Sequence, residues 1–116
     1  MKQYPPVEKY LLAKPGAVKE FPFGPDAAVF KVGGKMFALM AWQEKPVRIT
    51  LKSSPEDAVL LRSLYEAVKP GYYMNKKHWN TVTLDGSVPK EHLLRMMDES
   101  YDLVVRGLPR AEREKL

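Results

Sequence analysis

Apolar residues recur along this chain with two different periods, and the switches between them mark out its elements. Val7, Tyr10 and Leu11 stand at i, i+3 and i+4 after Pro5-Pro6, and Lys14-Pro15-Gly16 stops the pattern, so a short amphipathic helix is predicted. The next stretch changes character. AAVFKV and KMFALMAW are apolar runs on either side of Gly33-Gly34, a pair suited to a tight hairpin turn. A second turn is predicted from Gln43 to Pro46, after which Val47, Ile49 and Leu51 alternate on one face of VRITLK. Strands that follow one another this closely pair as an antiparallel meander.

Helical spacing then returns. Ser54-Pro55-Glu56-Asp57 is a helix start, with Ser54 as N-cap, Pro55 at the first helical position and Asp57 near the capping-box position. Leu61, Leu64, Tyr65 and Val68 predict its apolar stripe, and Pro70-Gly71 its end. WNTVTLD is one more short strand, with Asp85-Gly86 as its turn. Ser87-Val88-Pro89 opens a last helix whose buried face is predicted to hold Leu93, Met97, Tyr101, Val104 and Leu108, stopped by Gly107 and Pro109. PRAEREKL is expected to be a frayed, charged tail. The order α, strands, α, β, α predicts an α+β domain with helices packed on an antiparallel sheet, spanning residues 1–109, with 110–116 as the tail.

Composition narrows the function. The 116 residues are 45% apolar, enough for one domain with a core of its own. With no cysteine, disulfides, thiolate metal sites and cysteine nucleophiles are excluded. The N-terminal stretch lacks the apolar region of a signal peptide, and no apolar run is long enough for a bilayer, so a soluble cytoplasmic protein is expected. No exposed apolar stripe is evident, and a monomer is expected. The net charge is +5, unevenly spread. Lys31, Lys35, Lys45, Arg48 and Lys52 face only Glu44, and Lys69, Lys76 and Lys77 have no acid near them in sequence. Clustered positive charge favours a polyanion or an acidic partner; a solvated face tuned for solubility gives the same pattern.

The segment PGYYMNKKHWNTV concentrates the side chains that could carry function. Lys76 and Lys77 are candidates for phosphates, Tyr72, Tyr73, His78 and Trp79 for stacking on bases or lining a groove, and Asn75 for a base edge. Lys31 and Lys35, flanking the Gly33-Gly34 hairpin, could reach the same backbone. The competing reading places Trp79 and one tyrosine in the core and gives Asn75 to the backbone of a turn. Trp42 has the same ambiguity. Catalysis rests on less: His78 would need an orienting partner, for which Asp85 is the candidate, and no serine sits on a nucleophile elbow. Metal binding rests on Asp98, Glu99 and Asp102 alone, a set that a solvated helix face explains. VGGK lacks the spacing of a P-loop. No catalytic residue, metal ligand or cofactor is assigned.

PFGPDAAVFKVGGKMFAL, LKSSPEDAVLL, PGYYMNKKHWNTVTLDGSVP and SYDLVVRGLP together resemble the MmcQ/YjbR-like proteins, in the family's order and over nearly the whole chain. The resemblance implies a CyaY-like α+β fold with a double-wing motif, and DNA as partner. The frataxin-like relatives of that fold handle iron through acidic surfaces; this basic chain lacks a dense acidic ridge, so iron binding is not carried over. The family commonly reads PGYHMNK, and Tyr73 stands at its histidine, which counts against chemistry at that position. The matching positions are Pro22, Phe23, Gly24, Pro25, Lys31, Pro70, Gly71, Met74, Asn75, Lys76, His78, Trp79 and Asp85. Its prolines and glycines are expected to shape the backbone, and Phe23, Met74 and Trp79 to fill a pocket or the core. Lys31, Asn75, Lys76 and His78 are the polar residues expected to make contact. The leading expectation is a non-enzymatic DNA-binding protein. The alternative is a binding module for an acidic protein or a small anionic ligand in a pocket beside Trp79.

Overall fold

The computed structural model describes residues 4–41, 46–71 and 75–116. The first helix, α1, spans Tyr4–Leu12 and buries Val7 and Leu11. The strands β1 (Val18–Glu20), β2 (Ala27–Val32), β3 (Lys35–Ala41) and β4 (Arg48–Lys52) follow. Next come α2 (Pro55–Leu64), β5 (Val68–Pro70), β6 (Trp79–Thr83), α3 (Lys90–Arg106) and α4 (Arg110–Arg113). Among the described residues the six strands form one antiparallel sheet in the order β1-β2-β3-β4-β6-β5. The expected α+β class, with helices on an antiparallel sheet, is what the chain adopts. No described helix is long and apolar enough to cross a membrane.

Strand alternation sorts the sheet into two unlike faces. Ala28, Phe30, Ala38, Met40, Ile49, Leu51 and Val82 are buried on one face, under α1 and α3. A register shift after Phe30 lets the consecutive residues Phe37 and Ala38 both enter the core, which strict alternation would forbid. Phe37 meets Tyr101 of α3 edge to face, with ring centroids 5.3 Å apart. Ser100, one helix position away, ties α3 to the strands. Its Oγ accepts the Lys52 backbone N–H at 2.8 Å and donates to the Phe37 carbonyl, replacing the rung that would follow Ala38–Leu51 in the β3–β4 ladder.

Among the described residues no helix lies on the other face. Val29, Leu39, Thr50, Thr81 and Lys69 cross it in a single row of paired positions, with a 2.9 Å hydrogen bond between the Thr50 and Thr81 hydroxyls.

The structure differs from the sequence expectations at several places; Leu64, expected on the apolar stripe of the second helix, is 59% exposed. The helix predicted to run to Pro70 stops at Leu64: Tyr65 is extended, and Val68 pairs with Val82 as part of the edge strand β5. Pro70 already favours that outcome, since it pushes Lys69 out of helical backbone and a proline is tolerated at a sheet edge. The expected frayed tail instead forms the turn α4, with Arg110–Glu114 and Lys115–Glu112 ion pairs. Leu116 folds back so closely that a Cβ on Gly16 would clash with its methyl. Phe23 is no core residue: it lies in the β1–β2 connection and is 76% exposed, the neighbouring core places being taken by Ala28, Phe30 and Val32. The turn predicted from Gln43 to Pro46 falls mostly outside the described residues.

Candidate nucleic-acid interface

Topology brings the two basic segments to the same end of the molecule. β2 runs into the Gly33-Gly34 turn at the end of the sheet where β4 finishes at Lys52 and β6 begins at Trp79, since Lys52 and Trp79 are paired. The β2–β3 hairpin and the β5–β6 connection therefore project from one end. Their centres are three strand spacings apart in the sheet order, about 14 Å at the usual separation.

The first hairpin turns on two glycines with φ of 58° and 80°, the left-handed pair that a two-residue turn requires. Lys35 is exposed at its foot and has no ion-pair partner among the described residues. Lys31 is less available: it pairs with Glu20 at 3.0 Å.

The β5–β6 connection is held differently. Asn75 Oδ1 accepts the Lys77 N–H at 2.9 Å, and its carbonyl accepts the N–H groups of His78 and Trp79. Asn75 is thus the turn-forming residue of the competing reading, and Oδ1 is engaged at home. Gly71 closes the base of the loop through a 2.8 Å bond to the Trp79 carbonyl; a Cβ there would press to 3.1 Å from that of Trp79. Lys76 and Lys77 are exposed at the tip, without ion-pair partners among the described residues. Tyr72, Tyr73 and Met74, like Trp42, lie outside the described residues.

Trp79 is half-buried and stands, by strand alternation, on the helix-free face with Thr81. It is absent from the hydrophobic core. Lys52, its paired neighbour, shares that face, and Arg48 and Lys69 lie further along it. This end of the sheet so combines exposed ammonium groups with an indole that the core does not consume.

Sequence reading missed Arg62. From α2 its Nε donates to Asn80 Oδ1 at 2.6 Å, and its Nη2 reaches the carbonyls of Lys76 and, at 3.5 Å, Trp79. Asn80, itself buried, donates from Nδ2 to the Ala58 carbonyl at 3.2 Å. The guanidinium thus clamps the basic loop to the helix. A basic residue in the last turn of a helix looks like ordinary capping, and nothing local in the sequence points to a loop beyond the next strand.

The acids near this end face one another. Glu99 of α3 is pushed up to about 7, chiefly by burial and then by its hydrogen bond to Asp57. Asp98 belongs to a separate cluster. Burial opposes its charge, but the Lys14 ammonium and the Tyr10 hydroxyl outweigh that and hold its carboxyl below the ordinary range. Among the described residues no three metal-ligating side chains converge.

The proposed orienting partner of His78 is occupied elsewhere. Asp85 accepts the Ser87 N–H at 2.9 Å and its hydroxyl at 2.6 Å, bonds that lower its pKa. His78 precedes β6 and Asp85 follows it, so the full length of the strand separates them, roughly 17 Å. His92, near the start of α3, is half-buried and hydrogen-bonds the Tyr65 hydroxyl through Nδ1.

A one-sided antiparallel sheet with two loops projecting from one end defines an α+β class shared by solved proteins. The crystal structure of the Deinococcus radiodurans protein DR2400, of domain family DUF419, superposes with a TM-score of 0.90 at 39% identity, covering 97% of this chain and 86% of that one. A Pseudomonas syringae protein matches at a TM-score of 0.73 and 27% identity, over 85% of this chain and 96% of its own. The YjbR family model matches residues 12–103. YjbR of Escherichia coli K12 is 39% identical over 108 residues, 93% of this chain and 92% of its own length. YbdF of Escherichia coli O157:H7 is 42% identical over 97 residues, 83% and 79% of the two chains. The chain belongs to the YjbR family.

Proposed function

We propose that this chain is a cytoplasmic, monomeric, non-enzymatic DNA-binding protein whose two hairpin loops act as a pair of wings on the phosphate backbone. The observation that carries the reading is the shared placement of the loops: Lys35 on one, Lys76 and Lys77 on the other, all exposed at one end of the sheet. A separation of about 14 Å suits phosphates on the two sides of a major groove about 12 Å wide. Lys52 lies on the sheet between the loops, and Trp79 offers an aromatic surface beside the second. Affinity in this arrangement is electrostatic and sequence preference modest, because lysines on phosphates position a protein without reading bases.

Fluorescence anisotropy of a labelled duplex, titrated at two salt concentrations, tests this. With about four to six phosphate contacts, log K should fall against log salt with a slope of roughly −0.9 per contact. Lys76→Glu/Lys77→Glu should flatten that slope by about two contacts, and Lys35→Glu by about one. No binding at low salt, or binding indifferent to both variants, overturns the reading and turns attention to an acidic protein partner.

A further inference from the structure

The end of the molecule away from the basic loops holds a groove that the DNA reading leaves unused. It lies between α1 and α3, encloses about 770 Å³ and is open on one side. That volume is in the range of small-molecule sites, roughly 300–1,000 Å³. Its walls are apolar: Val7, Tyr10 and Ala13 on the α1 side, Leu93, Leu94 and Met97 on the α3 side. Among the described residues two charged side chains line it, Lys9 and Lys90, and no carboxylate does.

Those two lysines differ from others nearby. Lys14 and Lys19 are each matched to a carboxylate, Asp98 and Glu8 respectively. Lys9 and Lys90 have no ion pair among the described residues. Lys90 also opens α3, whose N-cap is Pro89 and provides no side-chain hydrogen bond, so the first-turn amides beside the groove add positive potential. Apolar walls with a cationic rim suit a hydrocarbon chain ending in an anion.

We propose that the groove binds a medium-chain fatty acid, the chain lying between α1 and α3 and the carboxylate between Lys9 and Lys90. The lysines are exposed, so they select the head group, while the walls supply most of the affinity through burial.

Calorimetric titration with hexanoate, octanoate, decanoate and decanol, each below its aggregation threshold, tests the assignment. Affinity should rise with chain length, at most about fourfold per buried methylene. Decanoate should bind about tenfold more tightly than decanol, and Lys9→Glu/Lys90→Glu should remove that advantage. Ala13→Trp, a bulky residue placed in the groove from an exposed position, should abolish binding; the charge-reversal pair tests the head group even if that variant misfolds. Absence of binding overturns the proposal. So does equal affinity for decanol and decanoate, unaltered binding in the lysine variant, or full binding by folded Ala13→Trp. None of these outcomes depends on whether the opposite end holds DNA.

Discussion

The two hairpin connections at the basic end are built by opposite means. β2 and β3 are joined through Gly33 and Gly34, whose left-handed backbone makes the turn from two adjacent residues. The connection between β5 and β6 runs from Gly71 to His78 without a glycine pair, and among its described residues the local turn is the one Asn75 makes. Its placement against α2 also rests on Arg62, fourteen residues before the Lys76 carbonyl it holds, and on Asn80, which that arginine shares with α2. A turn made by backbone preference needs no side chain from another element to set its path. A loop held by a side chain from another element is only as ordered as that element's packing, and stability can differ between such regions of one domain.

The widest test of this contrast is Arg62→Ala. It removes a charged hydrogen-bond fork and strands the buried Asn80 Oδ1, so a loss of about 2–3 kcal/mol is expected in urea denaturation. Arg62→Lys should recover little, because an ammonium lacks the planar fork that meets several acceptors at once. Amide exchange sharpens the result. The His78 and Trp79 amides, bonded to the Asn75 carbonyl, should lose protection well before the β2–β3 ladder does. Equal loss in both hairpins would mean that the loop is not separately clamped.

The glycine hairpin is tested from its own side. Gly33→Ala and Gly34→Ala both place a Cβ on left-handed backbone, at a cost of about 1–2 kcal/mol each. They should not be equal. A Cβ on Gly33 would stand 2.7 and 2.9 Å from the two methyls of Leu108, whereas one on Gly34 meets nothing within 4 Å. Thermal or chemical denaturation should rank Gly33→Ala as the more damaging. Equal effects would show that Leu108 swings aside freely, and that the turn is coupled to the chain after α3 less than its packing implies.

The same contrast explains what the sequence discloses. The Gly33-Gly34 hairpin, the Ser54-Pro55 helix start and the α3 stripe are local signals, and all three appear where the residues place them; Ser54 Oγ accepts the Asp57 N–H at 3.3 Å. The helix overrun to Pro70 was a wrong period: Leu64, Tyr65 and Val68 satisfy helical spacing, but Val68 is taken by pairing with Val82. Asn75 could be assigned to a turn from its residue type. The Arg62 clamp, the Ser100 bridge between Phe37 and Lys52, and the occupation of Asp85 by Ser87 could not all be foreseen. The first two join residues far apart in sequence, and Asp85 offers as good a carboxylate to a histidine as to a serine. Tyr72 and Tyr73, the aromatic half of the candidate site, lie outside the described residues and neither strengthen nor weaken it.

Between the two hairpins lies a seam whose behaviour depends on pH. Glu99 reaches the Ser54 N–H at 3.4 Å, where α2 starts just after Lys52, and shares a hydrogen bond with Asp57. Helix starts normally favour a carboxylate. Here burial and the neighbouring acid prevail, raising Glu99 from 4.5 to about 7. Between those values the folded chain binds more protons than the unfolded one, so this group's contribution to stability declines as pH rises from 4.5 towards 7. Glu99→Gln keeps an acceptor for Ser54 and removes the titration. The wild type should lose stability between pH 5 and pH 8 relative to the variant, and the variant should be the more stable of the two at pH 8. A constant difference between them at both pH values would mean that Glu99 is an ordinary carboxylate held by Ser54. The acidic side of the seam would then stay charged at neutral pH and oppose the polyanion that the lysines on either side attract.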